Sequence, residues 1–333
     1  MRLLVDDRWI GKHGIGRFAS EVLRRLPPAI SMPSGLRPSN PFDPVWTSVH
    51  IALIRPGVYF SPGYNPPLAS RAPFVFTIHD LMHLRVAEES SVAKRLYYER
   101  IVRPALLKAC KVLTVSHYSK GEIVEWSGIA PENVLVVGNG VGPEFVPTGA
   151  RHVEDRPYLL YIGNRRPHKN LPRLLKAFRS APIGSDVILL CSGMRDGAMN
   201  RWIHEAGLDP SAVRFTGEIP EERISDYYRG ALAVLVPSLY EGFGLPALEA
   251  MACGTPVLAG NRASLPEVVG DAGLLVDPLD VAAIADGIGR ILRDAGLRKE
   301  LATRGLAQAS IFSWDATAGK VLDLLQAADR PKR

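Results

Sequence analysis

Residues 237–254 read PSLYEGFGLPALEAMACG. The apolar run just before them, residues 231–236, predicts a strand, and the segment from Pro246 onward predicts a short helix. Gly242 and Gly244 stand between the two, where glycine takes backbone angles closed to other residues and lets a ligand approach the main chain. Pro246 suits the first helical turn, so the unpaired amides of that turn face whatever lies beyond the strand end. Glu241 precedes the turn and Glu249 lies in the helix, eight residues later. An ionised carboxylate accepts hydrogen bonds from two neighbouring hydroxyls at once, so this spacing points to a polyol such as a sugar or a ribose.

Outward from this turn the second half of the chain alternates. Strands are predicted at residues 158–162, 187–190, 213–216, 232–236, 256–258 and 274–276. Helices are predicted at 171–178, 199–206, 221–229, 279–293 and 296–309. Strands separated by helices imply parallel pairing in a layered α/β domain, with ligands at the carboxyl ends of the strands.

The first half is less regular. A strand at 2–5, a helix near 15–26, a strand at 74–78, a strand at 111–115, a helix near 118–125 and a strand at 134–137 stand out. Residues 27–72 are proline-rich, with short strands expected at 49–53 and 58–60. A helical pattern runs over 92–109, where Pro104 predicts a kink or break. Residues 138–157, rich in glycine, proline and charge, read as a linker. Two such halves facing one cleft would set the ends of the 74–78 and 232–236 strands opposite each other.

Composition narrows the function classes. The 333 residues suffice for two domains, and 47% apolar residues is ordinary for packed cores. The three cysteines, Cys110, Cys191 and Cys253, are unclustered, which excludes a paired disulfide framework and a zinc site and suggests thiols in a reducing cytosol. The start carries no apolar leader, and no apolar stretch reaches membrane-spanning length. A net charge of +6 suits a phosphate-bearing ligand or an anionic membrane surface and is no nucleic-acid footprint. Lys94, Arg95, Arg100, Arg103 and Lys108, with Tyr97 and Tyr98 between them, either rest on such a membrane or form a solvated face, the commoner case.

Three further groups carry chemistry. Gly163-Asn164-Arg165-Arg166-Pro167-His168-Lys169-Asn170 joins a strand to a helix, and its cations with the helix amides form a natural phosphate site. Gly14-Ile15-Gly16-Arg17-Phe18-Ala19 spells a dinucleotide fingerprint, but it lies too far past its strand and lacks the later acid, so NAD is not expected. His79-Asp80 ends an apolar strand, and Ser116-His117-Tyr118-Ser119-Lys120 ends another, with Ser119 a candidate helix cap.

E-G-F-G-L-P-x-L-E followed by A-x-x-x-G-T-P-V resembles the donor-sugar signature of the retaining glycosyltransferases of family 4, which have the GT-B fold. The likeness continues through Ser264–Gly270 and Gly273–Pro278 and extends, more thinly, over residues 1–150. It implies two Rossmann-like domains facing a central cleft: an acceptor-side domain over 1–145, a nucleotide-sugar domain over 146–310, and a final helix over 311–333 crossing back to the first. Phe312-Ser313-Trp314 is similar to the family's F-S-W element at that crossover.

The resemblance also assigns roles. Lys169, with Arg165 or Arg166, would grip the donor diphosphate, and His168 stands where many relatives have arginine. Gly14 and Gly16 would shape the acceptor side and lend amides to the phosphate, alongside Gly244 and Leu245. His79, Glu241, Gly242, Phe243 and Gly244 would hold the transferred sugar, and Glu249 the ribose diol. Asp80, Ser116 and Gly14 would line the acceptor side. His79, Glu241 and Lys169 would be catalytic, with His79 positioning the sugar rather than acting as a strong base.

The expected reaction moves a sugar from a nucleoside diphosphate to an acceptor hydroxyl with retention. No metal and no cofactor are expected, because no D-x-D triplet stands at a strand end. Shared T-x-H-D-L and Y-x-G-N-x-x-x-x-K-N elements resemble bacterial mannosyltransferases of surface-polysaccharide assembly. They suggest GDP-mannose as donor and a lipid-linked glycan as acceptor, at a cytoplasmic location or peripheral on the inner membrane face. A nucleotide-sugar epimerase of the same architecture would differ in needing no acceptor, and a non-catalytic sugar-nucleotide-binding or glycan-binding subunit in lacking turnover.

Overall fold

The computed structural model describes residues 1–182 and 186–329. The chain divides into two compact units: Met1–Gly140 together with the segment from Ser313 onward, and Val141–Phe312.

The first unit holds a six-stranded sheet built from β1 (Leu3–Val5), β2 (Ile30–Ser31), β3 (Val58–Ser61), β4 (Phe74–Thr77), β5 (Lys111–Thr114) and β6 (Val134–Val136). Its strand order is β2-β1-β3-β4-β5-β6, and every pairing is parallel. The central strands β3 and β4 are buried throughout, as apolar runs must be when helices cover both faces of a parallel sheet. The second unit repeats the plan with β7 (Tyr158–Tyr161), β8 (Ile188–Cys191), β9 (Val213–Phe215), β10 (Ala233–Val236), β11 (Val257–Gly260) and β12 (Leu274–Val276). The order here is β12-β11-β10-β7-β8-β9, again all parallel. In both sheets the winding reverses beside the first strand, next to β1 in one and β7 in the other. The loops after β7 and β10 therefore emerge side by side, at the place where open parallel sheets bind ligands.

Several local expectations need correction. Residues 49–53 are no strand: they lie within a helix, Asp43–Ile54, and the missing edge strand is the two-residue β2. The α-helical run over 92–109 is interrupted just before Pro104 by a single π turn, Tyr98–Val102, between the helices Val92–Tyr97 and Arg103–Leu106. The wider turn spares a helix the clash a proline ring makes with the preceding carbonyls. Ser116, not Ser119, caps the helix His117–Ser127: its hydroxyl accepts the Ser119 amide at 3.1 Å, and Gly128 ends the helix at φ 72°.

The stretch read as a linker is not a loose one beyond Gly140. The buried Arg229 guanidinium donates to the carbonyls of Ala150 (2.7 Å) and Val146 (3.2 Å) and to Asp226 (2.6 Å), fastening that stretch to the second unit. The final helix, Trp314–Ala328, packs on the Gly14–Leu23 helix of the first unit. A Cβ on Gly140 would fall 2.1 Å from the Trp314 amide nitrogen, so the departing and returning strands of chain touch where only glycine fits.

Candidate active site

In the second unit the phosphate-type loop and the E-G-F-G turn meet because β7 and β10 are hydrogen-bonded neighbours. Asn170 draws the loops together. It sits at φ 62°, a left-handed position that asparagine tolerates, and its amide donates to the carbonyls of Pro237 (3.0 Å) and Pro278 (2.6 Å). The Leu239 amide donates to the His168 carbonyl at 2.7 Å, and the His168 ring is buried.

That stitching delivers Lys169 to Glu241. The ammonium lies 2.6 Å from Glu241 Oε1, and the Ser238 hydroxyl donates to the same oxygen at 2.7 Å. Both groups are largely buried. Ser264 holds the Glu241 carbonyl at 2.9 Å. Sequence reasoning placed Lys169 with the phosphate and Glu241 with the sugar; the structure makes them one ion pair.

Gly244 lies at φ 106° and precedes the helix Leu245–Ala252, which starts one residue before Pro246. The first amides of that helix have no intrahelical acceptor and carry the positive end of its dipole. Phe243 is buried with its ring edge-on to Phe312, 5.6 Å between centroids. Glu249 is buried on the same helix and accepts the Tyr228 hydroxyl at 2.8 Å. Tyr228, itself held by Thr255 donating to its carbonyl at 2.7 Å, was not foreseen; it lies in the helix that leads into β10.

Arg165 turns the other way. Its guanidinium bonds the Asp196 carboxylate and the Met194 carbonyl and lies over the Phe215 ring. Arg166 is exposed. Cys191 and Cys253 are buried and their thiols are pushed up to about 12 by that burial, which keeps them protonated and inert.

The remaining expected residues belong to the first unit. His79 follows β4 and is nearly enclosed; its Nε2 donates to the Pro62 carbonyl at 2.8 Å. Burial lowers its pKa to about 4, so near neutral pH the ring is uncharged with an acceptor at Nδ1. Phe18 meets it edge-on at 4.9 Å, and Trp314 backs Phe18 at 6.4 Å. Asp80 accepts the Met82 amide at 2.9 Å. Gly14 opens its helix, but the Gly16 amide is already taken by His13 Nδ1 at 3.0 Å. Gly16 also has no room for a side chain, since a Cβ would lie 2.2 Å from the Gly11 carbonyl. Ser116, expected on the acceptor side, is fully buried and its hydroxyl serves as the helix cap. Among the described residues no three His, Cys, Asp or Glu side chains converge as metal ligands.

Comparison with known proteins adds context to this geometry. The family model "Glycosyltransferase Family 4" matches residues 11–145, and "Glycosyl transferases group 1" matches residues 146–308. The chain is 35% identical over 273 residues to the O-antigen chain mannosyltransferase B of Escherichia coli, covering 78% of this chain and 71% of that protein. It is 30% identical over 227 residues to the serotype-specific mannosyltransferase WbdA of Escherichia coli, covering 63% of this chain and 28% of that longer protein. Among solved structures, a sucrose-phosphate synthase from Thermosynechococcus elongatus superposes with a TM-score of 0.79 at 21% identity, over 98% of this chain and all (100%) of that one. Anabaena HepE, solved with UDP, gives 0.77 at 18% identity over 98% and 100%. Both likenesses speak to the fold, two parallel six-stranded sheets in the GT-B manner.

Proposed function

Because this chain belongs to glycosyltransferase family 4, we propose that it moves mannose from GDP-mannose to a hydroxyl of a lipid-linked or oligosaccharide acceptor in surface-polysaccharide synthesis, with retention and without a metal. The observation that carries this reading is the Lys169–Glu241 pair beside the amides of the Leu245 helix. A cation, a carboxylate and a helix N-terminus together answer a diphosphate and the sugar attached to it. Mannose is suggested by the names of the relatives, and the acceptor by the O-antigen activity of one of them.

The hard step is departure of the diphosphate while positive charge grows on the anomeric carbon. Lys169 and the helix amides would stabilise the leaving oxygen, an electrostatic role that grows in the transition state. Glu241 would take sugar hydroxyls through its second carboxylate oxygen and favour the developing positive charge. Glu249 would hold the ribose diol, oriented by Tyr228. His79, neutral, would accept from a sugar hydroxyl and fix the ring. The bond from the anomeric carbon to the diphosphate breaks, the acceptor oxygen bonds on the same face, and its proton leaves with the diphosphate oxygen.

The test is an assay with GDP-mannose and a polyprenyl-linked, mannose-terminated oligosaccharide in the presence of EDTA, followed by NMR of the product. Acceptor-dependent GDP release and an α-mannosyl product are expected. An inverted centre, acceptor-independent turnover to another nucleotide sugar, or EDTA inhibition reversed by Mg²⁺ would overturn it.

A further inference from the structure

The helix Asp43–Ile54 is inside out. Asp43, Thr47 and Ile51, four residues apart, face the interior; Asp43 and Thr47 are buried against Arg8. Arg8 donates to Asp43 Oδ1 at 2.6 Å and to both oxygens of Asp6, at 2.7 and 2.6 Å. Asn65 adds a bond to Asp43 Oδ2 at 3.1 Å. The opposite face carries Phe42, Val45, Val49 and Leu53, which are 72%, 48%, 50% and 73% exposed. At about 100° per residue these four form one stripe. Leu68, 47% exposed, extends it, because its amide bonds the Pro44 carbonyl at 3.1 Å. A surface helix ordinarily turns such a stripe inward, and exposed apolar patches of this kind mark interaction sites.

We propose that this face docks on an anionic phospholipid bilayer. Charge selects that occupant. Residues 22–79 contain five arginines and a single acid, Asp43, which is buried beneath Arg8; Arg24 and Arg25 pair with Glu21, which leaves Arg37, Arg55 and Arg71. Arg55, which ends the helix, and Arg37 and Arg71, on the segments before and after it, are exposed, with no exposed acid in residues 22–79 to answer them. Apolar residues that enter the acyl boundary, ringed by arginines at headgroup level, match a lipid surface of negative charge. A second copy of the chain would bring the same arginines against one another. The basic run near 92–109, the surface suggested by charge alone, is less suited. It is broken by the π turn, Arg103 pairs with Glu99 at 3.0 Å, and Lys94 is tied to the Glu89 carbonyl at 2.8 Å. The inference is independent of which donor the enzyme uses. Among the described residues no helix is long and apolar enough to cross a membrane, so the contact is with one leaflet.

The experiment is co-sedimentation of the full chain with phosphatidylcholine vesicles, with and without phosphatidylglycerol. Binding only to the anionic vesicles, weakened by high salt, is expected. The variant Phe42→Ser/Val49→Ser/Leu53→Ser should melt like the parent and lose at least about tenfold in vesicle affinity, since it removes most of the buried apolar area. Separately, Val49→Trp, which keeps the face apolar, should be quenched by brominated acyl chains. Failure to bind any vesicle, undiminished binding by the triple variant, or an unquenched Trp at position 49 would overturn the proposal. So would a dimer in solution that the triple variant dissociates, since a second copy would then be the occupant.

Discussion

The Lys169 ammonium lies 2.6 Å from the Glu241 carboxylate, across 72 residues of sequence, and Ser238 fixes the shared oxygen from the other side. The cation proposed for the diphosphate is thus restrained by the carboxylate proposed for the sugar. A nucleoside diphosphate without sugar meets a lysine already half neutralised and a carboxylate that repels it. Glu241→Gln should therefore bind free GDP more tightly, by up to about tenfold, roughly 1.4 kcal/mol. Turnover should fall at least tenfold, about the same energy in the barrier. Calorimetric titration with GDP beside a steady-state assay separates the two; weaker GDP binding by the variant would show that the pair does not restrain Lys169.

Lys169→Ala should act mainly on turnover. Leaving-group charge is largest in the transition state, so kcat should fall further than the apparent KM for donor rises. A raised KM with kcat unaffected would reduce Lys169 to a binding residue.

Glu249 is held by Tyr228 at 2.8 Å, which gives its proposed ribose role a built-in control. Glu249→Ala should weaken donor and free nucleotide alike by about 1–3 kcal/mol, and Tyr228→Phe by about 1 kcal/mol, since only the orienting bond is lost. Unchanged nucleotide affinity in a folded Glu249→Ala enzyme would remove Glu249 from the ribose site.

Trp314 lies against Phe18, which in turn meets His79, with ring centroids 6.4 Å and then 4.9 Å apart. Trp314→Ala should cost about 3–5 kcal/mol in stability as a large buried ring is lost. Phe18→Leu, a milder change, should lower turnover while leaving nucleotide affinity intact, because it loosens the edge contact that orients His79. Truncation after Ser310 should expose the first unit to protease. A Phe18→Leu enzyme of full activity, or a truncated chain no more easily cut, would show that the last helix does not support His79.

His79 sets a pH dependence of known sign. Its folded pKa, near 4, lies below the unfolded value near 6.5, because burial disfavours the charged ring. Above pH 6.5 neither state is protonated there and no penalty exists. As pH falls from about 6.5 to about 4 the unfolded chain gains a proton that the folded one refuses. The folded state then loses up to about 3 kcal/mol of relative stability. His79→Gln should flatten this part of the stability profile, measured by denaturant unfolding at several pH values. An unaltered profile would mean that other groups govern it.

Much of the fold was legible locally. Apolar runs four or five residues long, spaced by amphipathic segments, announced parallel strands and their crossover helices, since burial on both faces leaves a period-free apolar strand. Residues 43–54 misled because the helix hides an aspartate and displays valines, so the pattern that marks a buried face was inverted. Ser116 and Ser119 each fit a cap by residue type; which hydroxyl reached an amide depended on where β5 ended.

The sequence by itself determined the family, the two-sheet architecture and the residues that carry charge, because these follow from side-chain type, backbone period and short-range turn chemistry. Only the tertiary structure decided their partners: Lys169 with Glu241, Arg165 with Asp196, Glu249 with Tyr228, and His79 with Phe18 and Pro62. Those pairings depend on which strands lie side by side. The reversal of winding at β7 puts β10, rather than a sequence neighbour, against its open edge. Short-range residue patterns do not state that order, because strands of the same apolar character can be neighbours in many arrangements. The choice among them falls to long-range packing, where the helices and loops of the whole unit bury their faces at once.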